Sequence, residues 1–70
     1  MKPTFAVYVG EQIRAVRSRF RLSQRELAKE AGVSVSFLSD VENGKRSVSL
    51  RNAVNIAHAL GVPLSVLLPR

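Results

Sequence analysis

The run from Leu22 to Lys45, LSQRELAKEAGVSVSFLSDVENGK, leaves this chain little freedom in how to fold. Ser23 and Glu26 stand at the spacing of a capping box, in which each side chain satisfies an otherwise unpaired backbone N–H at a helix start. Leu27, Ala28 and Ala31 then fall on one side of the helix so begun. Gly32 stops it, because glycine enters a positive φ without steric penalty. Two residues later Ser34 can cap a second helix, for which Asn43-Gly44 supplies the stop. The stretch therefore predicts two short helices joined by a tight turn.

The second helix divides by periodicity. Phe37, Leu38 and Val41 lie three and four apart and make an apolar stripe, while Val35, Ser36, Ser39, Asp40 and Asn43 occupy the opposite face. That face carries short polar groups and no Lys or Arg, whereas an ordinary solvated face more often carries Lys, Glu or Gln. Small side chains let a projecting helix approach another surface closely. A helix-turn-helix sets such a face against base edges in the major groove of DNA.

Seventy residues make a single domain, near the lower size at which one core holds without staples. With no cysteine there are neither disulfides nor thiolate metal sites, and the 46% hydrophobic share must supply the core. Absence of cysteine fits a reducing cytoplasm. No segment approaches the ~18 apolar residues of a membrane span, and no charged-then-apolar leader is present. The expected protein is soluble and cytoplasmic, and nucleoid-associated when on DNA. Its formal charge of +6 favours polyanionic partners. The cations also cluster: Arg14, Arg17, Arg19, Arg21, Arg25 and Lys29 surround the first two helices, and Lys45 and Arg46 follow the proposed reading helix.

Outside this stretch, Phe5, Val9, Ile13, Val16 and Phe20 recur at near-helical spacing, with Thr4 as a possible cap. Phe5, Val7 and Val9 also alternate, as in a short extended arm, so residues 1–7 read as an arm or a frayed helix start. The expectation is a helix established by about Tyr8, with Met1 to Thr4 frayed, ending near Phe20-Arg21. After Gly44, Ser49 caps a helix whose apolar stripe is Leu50, Ala53, Val54, Ala57 and Leu60, with Arg51, Asn55 and His58 outward and Gly61 as its stop. Pro63 suits the first turn of a final short helix holding Leu64, Val66, Leu67 and Leu68. The fold class expected is all-α, a compact five-helix bundle over residues 1–70 with a central helix-turn-helix at 23–43.

Taken together, these elements resemble the lambda-repressor-like, or Cro-type, helix-turn-helix DNA-binding domain of the xenobiotic-response-element family. IRAVR at Ile13 to Arg17, LSQRELAKEAGVS at Leu22 to Ser34, FLSDVENGKR at Phe37 to Arg46 and LRNAVNIAHALGVPLSVLL at Leu50 to Leu68 carry the resemblance, which spans more than four-fifths of the chain. It implies that Gln24 contacts a phosphate and braces the reading helix. It also implies that Val35, Ser36 and Asp40 meet base edges with Ser39 nearby, and that Asn43 and Lys45 hold the DNA backbone. Arg17 and Glu42 match a pair that forms a salt bridge at the core edge and sets the angle between the first and third helices. Arg21 departs from the pattern, standing where relatives often have Gly or Asn. The base-reading positions also lack the glutamine pair of some phage repressors, so base preference does not transfer.

The reading that follows is sequence-specific binding of double-stranded DNA by a small transcriptional regulator, a repressor or a restriction–modification controller. Gln24, Arg25, Ser34, Asn43, Lys45, Arg46, Arg14 and Arg19 hold phosphates, and Val35, Ser36, Ser39 and Asp40 read bases. One small domain covers about half a site, so a homodimer on two half-sites roughly 34 Å apart is expected. Val62, Leu64, Val66, Leu67 and Leu68 are candidates for its surface, although periodicity favours the core for Leu64 and Leu67 and leaves Val66 and Leu68 the better candidates for exposure. Blander roles stand beside these: Ser34 as a cap, Phe37 as packing, His58 as a surface residue and Asp40 as a group that only repels phosphate. One His, no Cys and five scattered acids offer no nucleophile–base pair and no metal site. No enzyme activity, cofactor or small-molecule effector is expected. The alternatives are a protein-interaction module, such as the antitoxin half of a toxin–antitoxin pair, or a basic RNA- or ribosome-associated domain, the latter disfavoured by the lack of stacking aromatics.

Overall fold

Each α-helix in the computed structural model, which describes residues 4–69, opens on a hydroxyl and closes on the same backbone turn. The order is α1 (Phe5–Arg19), α2 (Gln24–Ala31), α3 (Val35–Glu42), α4 (Leu50–Leu60) and a 3-10 turn at Leu64–Leu67. Thr4, Ser23, Ser34 and Ser49 accept from the N–H groups of Val7, Glu26, Phe37 and Asn52 at 3.0–3.1 Å. Such a cap is worth about 1 kcal/mol. At Ser23 the box is complete, since Glu26 Oε1 accepts the Ser23 N–H at 2.9 Å.

The closing turn is a pair of bonds. In α2, Gly32 N–H donates to the Lys29 carbonyl and Val33 N–H to that of Ala28; in α4, Gly61 and Val62 do the same to His58 and Ala57. Gly44 and Lys45 close α3 on Val41 and Asp40, and Arg21 and Leu22 close α1 on Ser18 and Arg17. This geometry needs a left-handed residue, and Gly32, Gly44 and Gly61 supply φ of 73°, 71° and 73°. In α1 the residue is Arg21, at φ 58°. Left-handed backbone costs an L-residue roughly 1–2 kcal/mol, which glycine avoids.

The core holds Val9, Ile13 and Val16 from α1, Leu27, Ala28 and Ala31 from α2, Leu38 and Val41 from α3, Ile56, Ala57 and Leu60 from α4, and Leu67. α2 lies against both α3 and α4, α1 against α3, and the 3-10 turn against α4 and α1. Gly10 decides how near α1 comes to α3: a Cβ there would overlap the carbonyl oxygen of Val41 and sit 3.1 Å from that of Glu42.

Several expectations are corrected. α1 begins at Phe5, not near Tyr8, because Thr4 caps it; the fraying expected of Met1 to Pro3 lies outside the described residues, as does Arg70. The five-helix count becomes four α-helices and a 3-10 turn. Pro63 has ψ 150° and stands before the turn, and Leu68 is extended again at ψ 147°, leaving four residues with i→i+3 bonding. The α4 stripe is rotated: Ile56 is fully buried, whereas Leu50 and Val54 are 70% and 45% exposed. The apolar arc of this helix is wider than its buried side, which centres on Ala53, Ile56, Ala57 and Leu60 and leaves Leu50 and Val54 at one edge. Phe5 and Phe20, in phase with the α1 core, are 58% and 50% exposed at the helix ends, beyond its buried stretch.

Candidate nucleic-acid interface

α3 exists as an independent helix because Ser34 starts it and the turn at Gly44 ends it, and its apolar stripe decides which side is left over. Leu38 and Val41 are buried and Phe37 is packed against the core. Val35 is 42% exposed, Ser36 is exposed, and Ser39 and Asp40 are half-buried on the same side. Val35 and Ser36 stand in solvent and Ser39 and Asp40 are partly open beside them, so the helix offers a ridge of short side chains.

The ridge is held at its C-terminal end by one buried carboxylate. Glu42 is 3% exposed and accepts from Arg17 twice: Nε donates to Oε2 at 2.7 Å and Nη2 to Oε1 at 2.9 Å. Gln24 Nε2, from the first turn of α2, donates to Oε1 at 3.0 Å, and Arg14 Nε lies 3.5 Å from it. Arg17 also donates through Nη1 to the Leu22 carbonyl at 2.8 Å, and Arg14 Nη2 to Asn43 Oδ1 at 2.6 Å. Burial pushes the Glu42 carboxyl up, but the bonds from Arg17 and Gln24, with the attraction of Arg17 and the bond from Arg14, outweigh it. The group is held below its ordinary range. The bond to Glu42 likewise raises the Arg17 guanidinium, against the effect of burial.

One guanidinium thus fastens α1 to α3 and to the chain entering α2. The residues expected to hold phosphates separate accordingly. Arg14, Gln24 and Asn43 belong to the Glu42 network, although the Arg14 side chain remains 51% exposed. Arg19, Arg25 and Lys45 are exposed and form no ion pair among the described residues. Arg46 is exposed with its guanidinium 5.4 Å from the centre of the Phe37 ring, a cation–π distance that anchors the loop after α3. Ser34 is exposed with its hydroxyl accepting from Phe37 N–H. The link from Arg14 to Asn43 crosses 29 residues and had no signal in local spacing. Only the placement of Arg14 and Arg17 three apart, on one side of α1, hinted that both face the same partner.

Of the proposed dimer residues, Leu67 is fully buried, Val62, Leu64 and Leu68 are half-buried against the core, and Val66 is 40% exposed. A small apolar groove of about 160 Å³ opens elsewhere, lined by Phe5, Val9, Val48, Leu50, Ala53 and Leu68. No described helix is long and apolar enough to cross a membrane.

The helix-turn-helix family HTH_3 matches residues 13–67. The chain is 37% identical over 59 residues to the immunity repressor protein of Bacillus phage phi105, covering 84% of this chain and 41% of that protein. It is 43% identical over 54 residues to the control protein C.BamHI of Bacillus amyloliquefaciens, covering 76% of this chain and 67% of that one. The chain therefore spans well under half of the phage protein and two-thirds of the control protein. The crystal structure of the restriction-modification controller protein C.AhdI from Aeromonas hydrophila superposes with a TM-score of 0.86 at 37% identity, over 89% of this chain and 94% of that one.

Proposed function

The chain belongs to the HTH_3 helix-turn-helix family, and from that membership we propose that it binds double-stranded DNA sequence-specifically as a small transcriptional regulator. The observation that carries the proposal is the exposed face of α3, short side chains locked at a set angle by the Glu42 network and flanked by exposed cations. Arg19, Arg25, Lys45 and Arg46, with the exposed parts of Arg14, Gln24, Ser34 and Asn43, take phosphates and set the register. Val35 contacts a thymine methyl, Asp40 accepts from cytosine N4, and Ser36 and Ser39 bond to whichever edge is offered, each good contact being worth ~1–3 kcal/mol of discrimination. The names of the relatives, a phage repressor and a restriction–modification controller, support a repressor or controller role.

Two copies act together in this reading. Half-sites on one face of DNA lie roughly 34 Å apart. The chain measures 32 × 23 × 22 Å, so copies on neighbouring half-sites come within touching distance. The groove beside Leu50, with the exposed Leu50 and Phe5 at its rim, is the apolar surface that a second copy would cover.

Binding to a random-sequence duplex across a salt series tests the phosphate contacts: affinity should fall steeply as salt rises. Asp40→Ala should change base preference in a selection from a random duplex pool while leaving non-specific affinity nearly intact. Equal loss on every sequence would contradict the assignment of α3 as the reading helix.

A further inference from the structure

Four α-helices end in one backbone geometry, and only α1 ends in it with a side chain. Gly32, Gly44 and Gly61 take the left-handed position in three, and Arg21, at φ 58°, takes it in the fourth. No hydrogen bond or ion pair among the described residues accounts for this choice. Arg21 is exposed, and its guanidinium makes no hydrogen bond and no ion pair among the described residues. The buried carboxylate among the described residues, Glu42, is already occupied by Arg17, Gln24 and Arg14.

The position of this turn is well defined. The carbonyl of Leu22, the next residue, accepts from Arg17 Nη1, and the same guanidinium grips Glu42 at the end of α3. Glu42 in turn holds Gln24 in the first turn of α2. Arg21 therefore lies one residue before a carbonyl that shares its guanidinium with the end of α3, and three residues before Gln24, which was assigned to a phosphate. A cation kept where backbone geometry disfavours any side chain, exposed and unpaired among the described residues, at a turn tied through Arg17 to the end of the reading helix, is best explained by an anion outside the chain. We propose that Arg21 holds a phosphate of the DNA backbone, a ligand additional to those expected from the sequence. The proposal rests on the DNA-binding reading above.

Three variants test it, each by thermal melting without DNA and by binding to a random-sequence duplex across a salt series. Arg21→Gly should raise Tm by about 3–6 °C, because relief of the left-handed strain exceeds the added freedom of the unfolded chain. The same variant should bind about three- to tenfold more weakly near 0.1 M salt, with the slope of log affinity against log salt shallower by about 0.9. Arg21→Asn should move both readouts in the same directions, and Arg21→Lys should keep the wild-type slope and Tm. Arg21→Gly with wild-type affinity and slope would overturn the proposal, as would weaker binding at an unchanged slope or a lowered Tm. If the wild-type protein itself shows no fall in affinity with salt, the DNA-binding reading fails first, and the two failures are told apart by that control.

Discussion

The two flanks of α1 are built by opposite rules. Toward α3, backbone meets backbone at Gly10 and Val41, and Arg17 and Glu42 close the end of the contact with a double hydrogen bond. Toward α4 and the 3-10 turn, the same helix leaves an apolar groove with Phe5 and Leu50 standing largely in solvent. The first flank admits one relative placement of its helices, because a directional polar pair and a close approach both fail if either helix shifts. The second is held by non-directional apolar contact and keeps surface in reserve. Precision is thus concentrated where an angle must be reproduced, on the helix proposed to enter the groove of DNA.

The contrast is broken most severely at Gly10. Gly10→Ala forces α1 and α3 apart, and a loss of about 3 kcal/mol in urea unfolding is expected, at the upper end of overpacking effects because the obstacle is backbone. An unchanged urea midpoint would show that the two helices can separate freely.

Glu42→Gln comes next, at about 2–3 kcal/mol. Breaking a buried pair costs more when the stranded charge cannot reach water, and here the Arg17 and Arg14 side chains retain 15% and 51% exposure. The pH dependence has a definite sign. Because Glu42 is held below its ordinary value of 4.5, its contribution is complete above that pH and is lost as pH falls through the lowered folded value. The gap in stability between wild type and variant should therefore narrow on acidification below 4.5. A gap constant from neutral pH down to acid would remove Glu42 as the source.

The smallest stability effect is expected on the opposite flank and sharpens the comparison. Leu50→Glu places a carboxylate in the first turn of α4, where the helix dipole welcomes it, so stability should stay within about 0.5 kcal/mol. Self-association, followed by analytical ultracentrifugation without DNA, should weaken at least tenfold because the groove then faces an unpartnered charge. Persistence of the wild-type association would move the dimer surface away from Leu50.

Much of this architecture was legible in the chain, and the reasons differ by element. The S-x-x-E box at Ser23 and the glycines at 32, 44 and 61 carry local signals, since capping and left-handed turns depend on a few neighbouring residues. The exposed face of α3 was legible for a similar reason: an eight-residue helix with one apolar stripe has only one side left. The α4 stripe differs because its apolar arc is wider than the side it buries, so the choice of Ile56 over Leu50 and Val54 was made by what packs on it. The final turn was misread because a proline in an extended conformation and four residues with i→i+3 bonding look, as letters, like the start of an α-helix.

By itself the sequence determined where α2, α3 and α4 begin and end and which face of the second half of the helix-turn-helix is polar, because these follow from interactions within about one helical turn. Only the tertiary structure decided that Arg14, Arg17, Gln24, Glu42 and Asn43 form one network, that Gly10 lets two backbones touch, and that Leu50 stands in solvent. Those facts depend on groups far apart in the chain meeting around a shared core, as Arg14 and Asn43 do across 29 residues, and no local periodicity encodes such meetings.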